Sequence, residues 1–228
     1  MKSISIIIPA LNENEGIART IKAIPRTELE TTGYQVQVLV VDNGSTDGTG
    51  TLAKAAGADV IVEPRRGYGY AYKAGFAAAK GEIITTADAD LTYPVEDIPK
   101  LVTMLIAEDL DFITTNRYAF MEKGSMSNLH KIGNAVLNLA VKLLFKIKIR
   151  DSQSGMWVFR KVLLDRVILR SNTMALSEEL KLECCFYLKC KWKEVPIQYR
   201  KRIGAVKLRS WRDGLGNLYS LCRKRLRR

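Results

Sequence analysis

Val36-Gln37-Val38-Leu39-Val40-Val41-Asp42-Asn43-Gly44-Ser45-Thr46-Asp47-Gly48-Thr49 holds the pattern that decides the fold. Residues 36–41 form a β-branched apolar run that reads as a buried strand; a polar, acidic turn follows at once, then a helical pattern over 47–56. The same order recurs on both sides. Residues 3–8 read as a strand followed by a helix over 14–24, 59–62 as a shorter strand followed by a helix over 70–79, and 82–86 as a buried strand followed by a helix over 95–107. Such alternation predicts an α/β fold, a Rossmann-like and mostly parallel sheet flanked by helices. Ligands then bind in the crevice at the carboxyl ends of the strands, which directs attention to residues 9–13, 42–47 and 87–94. All three segments are polar and acidic.

Beyond residue 107 the pattern changes. Leu129, Ile132, Val136, Leu139 and Leu143 mark one stripe of a basic amphipathic helix over 129–149, with lysines at 131, 142, 146 and 148. Residues 195–199 read as an added strand. A last helix over 210–226 sets Trp211, Leu215, Leu218, Tyr219, Cys222 and Leu226 on one face. The chain has 228 residues, 47% hydrophobic and 26% charged, which suits one sizeable core and excludes a disordered or collagen-like chain. No linker or repeat divides it, so the expected organisation is a catalytic domain over 1–208 and a basic amphipathic tail over 209–228. No apolar run approaches the roughly 18 residues of a membrane-spanning helix. The first residues lack the pattern of a secretory signal, so a cytoplasmic location is expected. Cys184, Cys185, Cys190 and Cys222 show no metal-ligand spacing and read as reduced thiols.

The formal net charge is +12, and half of it lies in residues 209–228, where seven basic groups face one acid, Asp213. A field of this sign attracts an anionic membrane surface or nucleic acid. Nucleic acid is disfavoured because it leaves Glu13, Asp42, Asp88 and Asp90 unexplained, and clustered acids would repel a phosphate backbone.

Asp88-Ala89-Asp90 is the sharpest local feature. Two carboxylates at i and i+2 after a strand can approach one hard divalent cation and leave room on it for phosphate oxygens. Surface turns also hold paired aspartates, so the triplet takes its meaning from its neighbours. Together with Ile6-Ile7-Ile8-Pro9-Ala10-Leu11-Asn12-Glu13 and the 40–49 segment, it resembles the nucleotide-sugar-binding half of family 2 inverting glycosyltransferases with the GT-A fold. Further stretches narrow the resemblance to the dolichyl-phosphate mannose synthases and their polyprenyl-phosphate hexose synthase relatives: Gly69-Tyr70-Ala71-Tyr72-Lys73-Ala74-Gly75, Asn116-Arg117-Tyr118, Asp151-Ser152-Gln153-Ser154-Gly155, and Glu194-Val195-Pro196-Ile197 with Arg202, Gly204 and Lys207. Departures are Asn43, Thr92-Tyr93 and Met156-Trp157.

The resemblance implies a nucleoside-diphosphate sugar held by Pro9, Leu11, Glu13, Val40 and Asp42 at the nucleoside. It implies Ala87, Asp88, Ala89 and Asp90 at the diphosphate, with Asp88 and Asp90 on Mg²⁺ or Mn²⁺. Arg117, Arg202 and Lys207 are placed by it around the phosphates, with Asp90, Arg117 and Arg202 the catalytic group and Arg117 and Lys131 at the acceptor phosphate. The implied acceptor is polyprenyl or dolichyl phosphate at the cytoplasmic face of a membrane, where the protein would sit peripherally. A phosphate oxygen is already anionic and needs no side-chain base, which accords with His130 being the sole histidine. A hydroxyl acceptor would need a base, and Glu179 is the candidate for that alternative. Ser177 alternatively caps a helix whose first turn carries Glu178 and Glu179.

Overall fold

The computed structural model describes residues 2–205 and 210–226, the side chains of 210–213 excepted. Seven strands form one mixed sheet: β1 (Lys2–Ala10), β2 (Tyr34–Asp42), β3 (Asp59–Val62), β4 (Ile83–Thr86), β5 (Phe112–Met121), β6 (Trp157–Arg160) and β7 (Trp192–Tyr199). Their order is β3-β2-β1-β4-β6-β5-β7, and β6 alone runs against its neighbours. The strand alternation explains the layers. Ile4, Ile6, Ile8, Val38 and Val40 face a core completed by α1 (Ile17–Ala23), α2 (Arg26–Thr31), α3 (Thr49–Ala55) and α5 (Ile98–Ala107). Ile7, Leu39 and Val41 point to the other face, covered by α4 (Tyr68–Ala78) and α7 (Leu176–Leu182). Successive side chains of a strand alternate between faces, so one apolar run builds two cores.

All four strands expected in the first half are present and parallel. The helix expected over 14–24 is shorter, because Asn12 takes a left-handed turn at φ 53° and residues 12–16 form the loop. The sequence reading has no counterpart for α2, β5, β6 or the 3₁₀ turn Lys161–Asp165. The 95–107 helix opens as a 3₁₀ turn over 95–97 before α5.

The basic amphipathic helix is α6 (Asn128–Phe145), and the last helix is α8 (Ser210–Leu226). α6 turns its expected stripe outward, and α8 does so in part: Leu218 packs against the cluster of Leu137, Val141 and Phe145, and the side chain of Trp211 lies outside the described residues. Leu129, Ile132, Val136, Leu139 and Leu143 are 43–67% exposed, while Leu137, Val141 and Phe145 form the packed face with Leu182 and Leu221. On α8, Leu215, Tyr219 and Leu226 are exposed, whereas Asn217 and Leu221 are buried. Among the described residues, no helix is long and apolar enough to cross a membrane. The four cysteines are free thiols.

Candidate active site

The carboxyl ends of β1, β2 and β4 lie side by side, since Ala10 is in register with Asp42 and Ile7 with Thr86. Two loops are stitched together at this edge. Asn12 Oδ1 accepts from the Thr46 amide at 2.8 Å, the Asn14 amide donates to Asp47 at 3.1 Å, and the Glu13 amide donates to Thr49 Oγ1 at 2.8 Å. Asp42 accepts from the Ser45 amide, three residues on, at 2.8 Å. Asn43 uses its whole amide. Its Nδ2 donates to the carbonyls of Glu63 and Arg65, and its Oδ1 accepts from the Gly67 amide.

The aspartate triplet follows β4 directly. Asp90 is buried, and its Oδ1 accepts from the Thr92 amide at 3.0 Å and the Thr92 hydroxyl at 2.6 Å. Its Oδ2 lies 2.9 Å from an Arg202 nitrogen, and the same guanidinium pairs with Glu13. Backbone bonds hold the two segments together, with the Ile203 amide donating to Asp90 O at 3.1 Å and the Arg200 amide to Thr92 O at 3.0 Å. One arginine thus ties the loop after β1, the turn after β4 and the loop after β7. Gly16 permits the triplet to pass at this depth, because a Cβ there would meet Ala89 O at 2.5 Å. Asp88 is partly exposed, and burial together with the neighbouring Asp90 charge pushes its carboxyl up to about 7.

Arg117 lies deeper than a surface cation. It is buried and forms a two-pronged pair with Asp151 at 2.7 and 2.8 Å, and its amide also donates to Asp151 at 3.0 Å. Burial disfavours its charge and Asp151 more than restores it, so Arg117 stays a cation. It stands over the Tyr199 ring at 5.4 Å. Both Arg117 and Arg202 lower the Asp88 carboxyl electrostatically, so the two cations share its surroundings. Asp151 opens a loop that returns to the triplet. At its far end Gly155 donates to Tyr93 Oη at 2.7 Å, and a Cβ on Gly155 would stand 3.7 Å from Asp88.

Several expected site residues fall elsewhere. Val40 is wholly buried within the core beneath α1 and α3, so its side chain does not face the cleft. Ala87 and Ala89 are likewise core residues, leaving only their backbone for a ligand. Pro9 and Leu11 are half-buried at the end of β1. Lys131 is exposed on α6. Lys207 lies outside the described residues. Ser177 is no helix cap, because α7 begins at Leu176 and the Ser177 hydroxyl donates to Ser154 O at 3.1 Å. Glu179 accepts from the amides of Arg170 and Ser171 at 2.9 and 2.7 Å and pairs with Lys224 of α8 at 3.1 Å. Its carboxylate thereby holds a turn and α8.

Around the 151–155 loop the sequence reading passed over Lys181, and it named Glu194 only within the 194–197 stretch and Glu178 only beside Glu179 in a helical first turn. Glu194 of β7 accepts from the Asp151 amide at 2.9 Å. Glu178 is buried against Gln153, and burial pushes its carboxyl up to about 8. Lys181, 1% exposed, donates to the loop's carbonyls. For Glu178 and Lys181 the one signal was an excess of charge in the apolar stretch around 176–185.

A mixed, mostly parallel sheet with a carboxylate pair and converging arginines at its carboxyl edge is a GT-A-like arrangement. Residues 5–168 match the model of glycosyl transferase family 2, and the chain belongs to that family. The low-salt glycan biosynthesis hexosyltransferase Agl6 of Haloferax volcanii is 35% identical over 214 residues, covering 93% of this chain and 51% of Agl6. The chain therefore spans about half the length of that relative. The dolichyl-phosphate hexose transferase of the same organism is 32% identical over 213 residues, covering 92% and 89% of the two chains. Among solved structures, glucosyl-3-phosphoglycerate synthase from Mycobacterium tuberculosis, in complex with Mn²⁺, UDP and phosphoglyceric acid, superimposes with a TM-score of 0.77. It is 23% identical and covers 97% of this chain and 78% of that one.

Proposed function

We propose that this chain transfers a hexose, with inversion, from GDP-mannose or a UDP-hexose to polyprenyl or dolichyl phosphate at a membrane surface. The observation that carries the reading is the convergence of Asp88 and Asp90 with the cations Arg202 and Arg117 on one sheet edge. The resemblance to a dolichyl-phosphate hexose transferase over nearly its whole length supports the acceptor class.

The residues fit a divalent cation. Asp88 and Asp90 supply hard oxygen ligands two residues apart at the end of β4, where burial first and the Asp90 charge second hold the Asp88 carboxyl up to about 7. Mg²⁺ or Mn²⁺ bound there would neutralise the departing nucleoside diphosphate. Arg202 adds a fixed cation beside the same carboxylates, and the stitched loops around Glu13 and Asp42 would hold the nucleoside. A phosphate oxygen of the acceptor attacks the anomeric carbon as the bond to the diphosphate breaks, the electron pair leaving with the diphosphate. One displacement converts an α donor into a β product. Arg117, already oriented by Asp151, would hold the acceptor phosphate in line despite its repulsion from the leaving group. No proton needs to be removed from the nucleophile.

The exposed apolar stripe of α6, with Lys131 and Lys142 on the same helix, suits the anionic interface where such a lipid resides. The alternative acceptor, a sugar hydroxyl with Glu179 as base, is disfavoured by the bonds that occupy Glu179.

The test is incubation of the protein and Mg²⁺ or Mn²⁺ with a panel of GDP- and UDP-sugars, with and without polyprenyl phosphate. The expected result is nucleoside diphosphate release that depends on the lipid phosphate and disappears in Asp90→Ala. Metal-dependent nucleotide binding without any lipid product would overturn the acceptor assignment.

A further inference from the structure

Lys181 is an unusual group to find where it is. It lies on α7, all seven of whose residues are buried, beneath the 151–155 loop. Its Nζ donates to Ser152 O at 2.7 Å and Ser154 O at 2.6 Å, with Asp151 O at 3.4 Å and Ser177 Oγ at 3.5 Å. The indole of Trp157 lies 5.9 Å from the same nitrogen and sends its own N–H to Ser154 O at 2.8 Å. Burying an ammonium is costly unless polar atoms surround it. Here the surroundings are carbonyls of one loop.

The two ends of that loop are anchored differently. The Gly155 end is tied to β4 and the triplet, since Thr86 Oγ1 donates to Gly155 O at 2.8 Å and the Gly155 amide donates to Tyr93 Oη. The Asp151 end carries the carboxylate that orients Arg117. Glu194 and Asn138 receive the amides of Asp151 and Ser152, so those N–H groups point outward while the carbonyls of 152 and 154 turn in to Lys181.

We propose that Lys181 is a positioning residue for the acceptor side of the reaction: by gathering the carbonyls of residues 151, 152 and 154 it fixes Asp151 and, through it, the guanidinium of Arg117. This rests on the transfer reaction proposed above. Lys181 touches no reacting atom in this scheme and acts through Asp151. Its influence is confined to the acceptor half, because the Gly155 end and the triplet have tethers of their own.

The test compares wild type with Lys181→Met, which keeps length and removes the donors, and Lys181→Gln, which keeps an amide donor. Two readouts are taken on the full chain. Hydrogen exchange of the 150–156 peptide is expected to accelerate at least tenfold in Lys181→Met, with β1 and β2 unchanged. In turnover with polyprenyl phosphate, the acceptor KM is expected to rise at least tenfold while the affinity for Mn²⁺ and nucleoside diphosphate stays within twofold. A purely structural loss would lower the folded fraction and hence kcat, leaving both KM values in place. If the methionine variant does not fold, the glutamine variant is read by the same criteria, with smaller shifts in the same direction. A folded variant with unchanged loop exchange, or with an unchanged acceptor KM, overturns the proposal. If wild type shows no lipid-phosphate turnover, the transfer reading fails, while the exchange result still decides whether Lys181 holds the loop.

Discussion

Asp90 and Glu178 are both buried carboxyls, and their surroundings give them different work. Asp90 accepts from Thr92 and faces Arg202, so it is fixed in place with one oxygen against a cation. Asp90→Asn keeps the shape and removes the charge, and is expected to weaken Mn²⁺-dependent nucleoside diphosphate binding at least tenfold by calorimetric titration. Glu178 accepts from Gln153 and lies in the field of Lys181, yet burial outweighs both and holds its carboxyl at about 8 against an ordinary 4.5. Folding therefore takes up a proton between those two values, and stability falls as pH rises from about 4.5 to about 8. Lys181 behaves oppositely, because burial pulls it down to about 7 from 10.5 and stability climbs as pH rises across that range. Glu178→Gln is predicted to remove the acidic-side fall, so that its stability gains on wild type by up to about 1.4 kcal/mol per pH unit inside that window. Urea denaturation at pH 5 and pH 8 measures this. Equal differences at the two pH values would contradict it.

At the level of elements, the Arg117–Asp151 pair joins β5 to the loop before β6, both ends of it buried. Removing either partner strands a charge in a dry site, and Arg117→Ala and Asp151→Ala are each expected to cost about 3–5 kcal/mol, with the double variant costing less than their sum. A sum of single losses would show that the two groups are not coupled. The outer helices carry the second prediction. Ile132→Glu with Leu143→Glu on the exposed stripe of α6 is expected to leave the thermal midpoint unchanged and to abolish sedimentation with anionic phospholipid vesicles. These elements also mark where the sequence stopped being legible. β1, β2 and β4 were readable because their inner residues are β-branched and buried on both faces, and β3 because its short β-branched run stands between turn residues. β5 and β6 were not, since Phe112–Met121 interleaves Thr, Asn and Arg with its apolar residues and Trp157–Arg160 is only four residues long. The apolar stripes of α6 and α8 were read correctly as stripes, but amphipathicity alone does not say which face the rest of the chain will cover.

Across the whole molecule, the sheet edge gathers groups from far apart in the chain. Glu13, Asp90 and Arg202 meet although 189 residues separate the first from the last. The motif residues at the strand ends were legible because a parallel sheet brings successive carboxyl ends together by construction. The environment of Arg117 was not, because its depth depends on Asp151 and on Tyr199, which only the folded chain brings to it. Val40 shows the converse, a motif position whose side chain belongs to the core. The account as a whole stands on one bond, that between the transferred sugar and a phosphate oxygen of the acceptor. The most direct measurement is ³¹P and ¹H NMR of the lipid product formed from an α-configured donor. A phosphodiester with a β-anomeric proton is the predicted result; an unaltered phosphomonoester with the sugar on a hydroxyl, or an α linkage, would contradict it.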